Sequence, residues 1–172
     1  MSNCIQTITL LNFFKQLFQP KNPNAAQAWQ QAGNATDNAF WMFALPVNLV
    51  LQRDTFSMAE PAPLPLENCE IEALSITLNT HFNSHGYEFF WHENRWLLSL
   101  TADPFIKTSA PKLVINKDIR AFLPTGEGAK KWASFINEVQ MLLFEHPVNI
   151  AREIDKKPVV NSVWCYGLSQ SK

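Results

Sequence analysis

Apolar side chains recur along this chain at two spacings, and the switches between them mark its elements. Ile5, Ile8, Leu11, Phe14 and Phe18 follow a three-and-four spacing, which predicts an amphipathic helix over residues 4–18 that stops before Pro20. Residues 19–38 are polar and rich in Asn, Gln and Ala, and read as a linker with one short helix near Ala25–Gln31. The pattern then changes. Phe40-Trp-Met-Phe-Ala-Leu45 is a continuous apolar run and predicts a buried strand, with Pro46 ending it or placing it at an edge. Leu49–Gln52 and Thr55–Met58 flank Arg53-Asp54, the length of a two-residue hairpin loop, which sets Leu51 opposite Phe56 and Leu49 opposite Met58. Pro61, Pro63 and Pro65 make a stiff connector.

Helical spacing returns over residues 67–85, where Ile71, Leu74, Leu78 and Phe82 form a stripe, acidic residues crowd the first turn and Gly86 is the expected stop. Two strands follow, Tyr87–His92 and Arg95–Thr101, joined by Glu93-Asn94. This register sets Trp91 against Trp96, Phe89 against Leu98 and Tyr87 against Leu100, an aromatic and aliphatic face. Residues 102–126 read as irregular, with a candidate strand at Leu113–Ile115. A helix over 127–145 places Trp132, Phe135, Ile136, Val139, Leu142 and Leu143 on one face, with Thr125 as candidate N-cap. After Pro147 come a turn of helix near Asn149–Asp155 and a last strand at Val159–Tyr166. With the first hairpin counted as one sheet element, the order is β-α-β-β-α-β. The expected fold is therefore α+β: an antiparallel sheet with helices mainly on one face, ferredoxin-like (split β-α-β), with an N-terminal helix and an extra strand. The expected division is residues 1–38, helix and linker, and residues 39–172, a single α+β domain.

Composition narrows the function classes. Of 172 residues 47% are apolar, 17% charged and 12% aromatic, so the chain has ample apolar surface to offset its ordering entropy. Its five glycines do not spell a dinucleotide fingerprint or a Walker loop. A net charge of −1, with basic residues scattered singly or in pairs, exerts no pull on nucleic acid. The three cysteines, odd in number and far apart, form neither a disulfide framework nor a metal spacing, and point to a reducing, cytoplasmic setting. The apolar stretch Ile5–Phe18 lacks the features of a signal peptide, and no stretch is long enough to span a bilayer. No cofactor and no metal is expected.

Few motifs carry chemistry. His81 and His85 have the i, i+4 spacing of zinc helices, without a following Glu or a clear third ligand. Thr125-Gly-Glu-Gly128 precedes a helix N-terminus, where an anion site and a simple capping turn are both open readings. Cys165 has no evident His or Asp partner and reads as a buried thiol. The most unusual stretch runs from Asn137 to Trp164. There Glu138, Gln140, His146, Asn149, Arg152, Glu153, Asn161, Ser162 and Trp164 alternate with core residues. Arg152 is suited to bidentate pairing with a carboxylate, either a ligand's or that of Glu138. Such an array is either a structural network tying the post-helix turn to the last strand or a site for a ligand or partner.

The strings Asn137-Glu-Val-Gln-Met-Leu-Leu, His146-Pro-Val-Asn149, Arg152-Glu153 and Pro158-Val-Val-Asn161-Ser162-Val-Trp164 resemble the RpfE-type bacterial regulatory protein family. Arg95-Trp96, Asp118-Ile119 and Leu123-Pro124 agree with it, and the resemblance spans roughly residues 40–167. The chain departs from the family in its short N-terminal part and in Cys165-Tyr-Gly-Leu, where the family tends to be Gly-rich. Members are often labelled cofactor-independent phosphoglycerate mutases. That chemistry needs a Ser or Thr nucleophile and two metals held by several Asp and His, whereas this chain has four His and no clustered Asp. The resemblance implies a cytoplasmic bacterial regulatory protein. The expectation is a non-enzymatic protein that holds a small anionic ligand or a partner peptide beside Asn149, Arg152, Asn161 and Trp164. The rival reading is a phosphoester enzyme using Glu138, His146 and Arg152.

Overall fold

The structure, a computed structural model, describes residues 24–34 and 40–171. The helix expected over residues 4–18 lies outside the described residues. In chain order the elements are α1 (Ala25–Gln31), β1 (Phe40–Val47), β2 (Leu49–Gln52), β3 (Thr55–Met58), α2 (Asn68–Phe82), β4 (Tyr87–His92), β5 (Arg95–Leu100), α3 (Ala129–Phe144), α4 (Pro147–Ile154) and β6 (Ser162–Gln170). Four strands form one sheet in the order β4-β5-β1-β6 with every neighbour antiparallel. β1 and β4 thus run parallel with β5 between them, and β5 and β6 run parallel with β1 between them. This is the split β-α-β arrangement, and the α+β class follows directly.

The first sheet strand is not the hairpin. Phe40–Val47, expected as an extra strand, sits at the sheet centre, while β2 and β3 form a separate two-stranded sheet. The physical reason is burial. Residues 41–47 are buried on both faces of the sheet, as a continuous apolar run requires, whereas Val50, Leu51 and Phe56 of the hairpin are exposed. Pro46 neither ends β1 nor makes it an edge strand. It pairs with Val163 beyond the last β5 partner, Ala44, and its carbonyl accepts from Leu64 N–H at 2.9 Å, so its missing N–H faces no strand.

Local signals set the helices. α2 starts at Glu67, whose N–H donates to Glu70 Oε2 at 2.8 Å, and ends through a short 3₁₀ turn at Gly86, where φ is +81°. The N-cap of α3 is Gly128 rather than Thr125, which instead exchanges backbone hydrogen bonds with Lys107. A side chain on Gly128 would collide with the Pro104 carbonyl, so glycine there serves close backbone approach rather than an anion cradle. The 111–113 stretch forms a 3₁₀ turn in place of the candidate strand, with Ile115 making one isolated bridge to Met58. The last strand is displaced three to four residues C-terminal of its expected bounds.

α2 and α3 cover one sheet face. Leu74, Leu78 and Phe82 of α2 and Trp132, Phe135, Val139 and Leu143 of α3 close over Met42, Ala44, Phe89, Trp96, Leu98, Leu100, Val163 and Cys165. Phe135 is the hub, stacked on Tyr87 at 4.6 Å and 4.9 Å from both Phe82 and Trp132. The hairpin register holds, including Trp91 against Trp96 with ring centroids 5.1 Å apart. On the opposite face α1 lays Ala25, Ala26 and Ala28 against Trp41, Phe43 and Leu97. Further along that face, Leu45, Val47 and Trp164 are covered by Met58, Val114 and Ile119.

Candidate functional site

The polar array spans the turn between α3 and α4 and the segment that leads into β6. Pro147 occupies the first turn of α4, where its missing N–H costs nothing, and His146 is the N-cap. His146 Nδ1 accepts from Val148 N–H at 3.2 Å, so in the neutral ring Nε2 carries the proton and donates to Thr77 Oγ1 at 2.9 Å. Burial lowers the pKa of this imidazole below its ordinary value.

α4 turns polar side chains inward. Asn149 and Arg152 are buried, whereas Ile150 and Ile154 are exposed. Asn149 donates through Nδ2 to the carbonyls of Leu143 (2.7 Å) and Val160 (2.8 Å) and accepts from Val160 N–H at 2.8 Å. It fastens the end of α3 to the approach to β6. Asn161 exchanges two bonds with the Leu49 backbone, at 2.7 and 2.8 Å, and Asn48 donates to the Val159 carbonyl at 2.9 Å. Asn48 and Asn149, each closing a Pro-Val-Asn triplet (Pro46–Asn48 and Pro147–Asn149), thus bond adjacent residues of one segment.

Arg152 pairs with Glu70 rather than Glu138. Its side chain is 4% exposed, with Nη1 at 2.9 and 2.8 Å from the two Glu70 carboxylate oxygens and Nε donating to the Pro158 carbonyl at 2.7 Å. These groups border a cleft walled by Pro61, Leu64 and Pro65, where Lys157 pairs with Glu67 at 3.2 Å. Each cation there faces a carboxylate. Glu138 lies on the exposed side of α3, 3.1 Å from His81 Nε2, and Glu153 is exposed on α4. His85 Nδ1 sits 3.2 Å from the His81 carbonyl, and the two imidazole ring centroids are 5.9 Å apart. Among the described residues no group of three or more His, Cys, Asp and Glu is placed to hold a metal ion. Glu138, His146 and Arg152, the trio of the phosphoester reading, are engaged by three different partners: His81, Thr77 and Glu70.

The remaining predicted residues meet at a pocket. Gln140, Ser162 and Trp164 line a cavity of about 270 Å³ between α3, β6 and residues 119–124. Gln140 Nε2 donates to Ser162 Oγ at 3.3 Å, and the Trp164 indole N–H donates to the Ser109 carbonyl at 2.9 Å. Trp132, Ile136, Ile119 and Leu123 supply apolar walls, Asn137 adds a second amide, and none of the described residues that line the cavity is charged. Burial pushes the Cys165 thiol in its wall far above the ordinary range, so that thiol stays protonated. Glu70, Thr77, Asn48, Ser109 and Trp132 escape a reading of residues 137–164 because they lie outside that stretch. Two of them carry a sequence signal of another kind: Glu70 belongs to the acidic first turn of α2 and Trp132 to the apolar stripe of α3.

No family model matches the chain, and no curated protein matches it. Among solved structures it is similar to a cofactor-independent phosphoglycerate mutase from Thermoplasma acidophilum DSM 1728, with a TM-score of 0.60 and 16% identity. The match covers 83% of this chain and 40% of that one, so the likeness is one of fold over part of the larger protein. No described helix is long and apolar enough to cross a membrane.

Proposed function

We propose that this chain is a cytoplasmic regulatory or interaction protein of the RpfE type that binds its ligand without turning it over, and that the pocket between α3 and β6 is where it binds. The observation that carries this reading is the pocket's chemistry: apolar walls, two carboxamides and a hydroxyl, with Cys165, whose thiol burial keeps protonated, as the one ionisable side chain among the described lining residues. An uncharged ligand suits these walls better than the anion that Arg152 suggests, because the Arg152 charge is already met by Glu70. The free Cys69 and Cys165 are in keeping with a reducing compartment.

The test is a screen of uncharged aromatic fragments by amide-resolved NMR on wild type and Ala133→Trp, which fills the pocket from α3, alongside a panel of phosphoesters with divalent metals. Saturable shifts on α3 and β6 that vanish in Ala133→Trp, with no turnover, are expected. Turnover abolished by Arg152→Ala with the fold intact refutes the reading.

A further inference from the structure

The ligand-binding reading of the pocket can be sharpened by the strand that floors it. Ser162, Val163, Trp164 and Cys165 are consecutive, and all four line the cavity. Side chains of a strand alternate between faces, so only the backbone edge of β6 presents four residues in a row. Among the described residues β6 is an edge strand with β1 as its one neighbour in the sheet.

The direction of its backbone groups follows from β1. The Pro46 carbonyl is held by Leu64 N–H and Pro46 has no N–H, whereas the Val47 carbonyl accepts from Asn161 N–H at 3.2 Å. Backbone groups of successive strand residues point to opposite sides, so Val47 faces β6 and Pro46 faces away. The pair Pro46–Val163 is therefore a non-hydrogen-bonded pair, and so is Ala44–Cys165 two residues along. The N–H and C=O of Val163 point out of the sheet toward the cavity. Val163 is only 2% exposed, and among the described residues no backbone–backbone bond outside the sheet ladder reaches these two groups. A strand-edge donor and acceptor that the ladder does not pair are free to pair with a ligand, and buried backbone groups in folded proteins are nearly always paired.

We infer that the pocket takes an uncharged, planar heterocycle whose lactam edge, a ring N–H beside a C=O, pairs with the outward N–H and C=O of Val163. This inference rests on the proposal that the pocket binds a ligand. The strand edge offers a donor and an acceptor side by side, which is the complement of a lactam. The cavity, at about 270 Å³, holds one or two fused rings, with Trp132 and Ile136 as walls and the Gln140 amide at hand for a second polar substituent.

The probes are carbostyril, a bicyclic lactam, and N-methylcarbostyril, which keeps the ring and loses the donor. Both are titrated into the full chain with the Val163 amide and tryptophan fluorescence as readouts. Carbostyril is expected to shift the Val163 amide and to bind about tenfold more tightly than its N-methyl form, the value of one hydrogen bond. Val163→Pro removes the outward N–H without breaking a ladder bond, and is expected to weaken carbostyril by a similar factor. If that variant does not fold, the comparison of the two probes on wild type decides. Equal affinity of the two probes, with both lost in Ala133→Trp, overturns the lactam inference and leaves the pocket assignment standing. Absence of binding by either probe, or binding that Ala133→Trp leaves intact, overturns both.

Discussion

Replacing Arg152 by Ala gives the sharpest reading of the polar array, because the sequence suggests a ligand contact and the structure supplies a stability role. Arg152 and Glu70 have side chains 4% and 13% exposed, and the guanidinium also donates to the Pro158 carbonyl. Removing it strands a largely buried carboxylate that also holds the first turn of α2 through Glu67 N–H. Deleting one partner of a buried ion pair costs about 3–5 kcal/mol, because the remaining charge loses its partner without regaining water. For a chain of this size that lowers Tm by roughly 6–20 °C. Arg152→Lys retains charge but not the fork geometry that reaches Glu70 and Pro158 together, so it falls between wild type and Ala. The double variant Arg152→Met/Glu70→Met removes both charges and is expected to recover most of the loss. Urea unfolding followed by tryptophan fluorescence measures this as a change in midpoint at constant slope. A loss below about 1 kcal/mol for Arg152→Ala, or a double variant no better than the single one, refutes the assignment.

Three further perturbations test other parts of the site. Asn149→Ala leaves the Val160 carbonyl and N–H without the Asn149 side chain and removes one of the bonds to the Leu143 carbonyl, which keeps the His146 N–H, and should cost about 1–3 kcal/mol in the same unfolding assay. A cost within measurement error would contradict the network. His146 has a lowered pKa when folded. Its contribution is thus fully present above the ordinary imidazole value of about 6.5 and is lost as pH falls from there toward the folded value, since the unfolded chain takes up the proton first. Unfolding free energy measured across that window should fall with pH in wild type and flatten in His146→Ala; parallel curves would refute the burial argument. Gly128→Ala sets a methyl against the Pro104 carbonyl, and should destabilise the start of α3 by about 1–3 kcal/mol, whereas a neutral outcome in thermal unfolding would show that the 104–106 segment yields.

Much of this protein is legible in its residues one element at a time. The stripe Leu74, Leu78, Phe82 and the stop at Gly86 define α2, and the Glu93-Asn94 turn defines the Trp91–Trp96 register, because periodicity and turn chemistry act between near neighbours. The polar array is equally visible as a set of residues. Which groups satisfy it is not, since a guanidinium donates as readily to a ligand carboxylate as to Glu70, 82 positions away. Asn161 likewise finds Leu49 at a separation of 112.

Tertiary structure alone decided three things: that Phe40–Val47 is the central strand, that Asn149, Asn161 and Arg152 are engaged by the chain itself, and that Gln140, Ser162 and Trp164 meet Trp132 at a pocket. Apolar pattern specifies that a residue is buried, but the partner that buries it is set by how strands and helices pack once all of them are present.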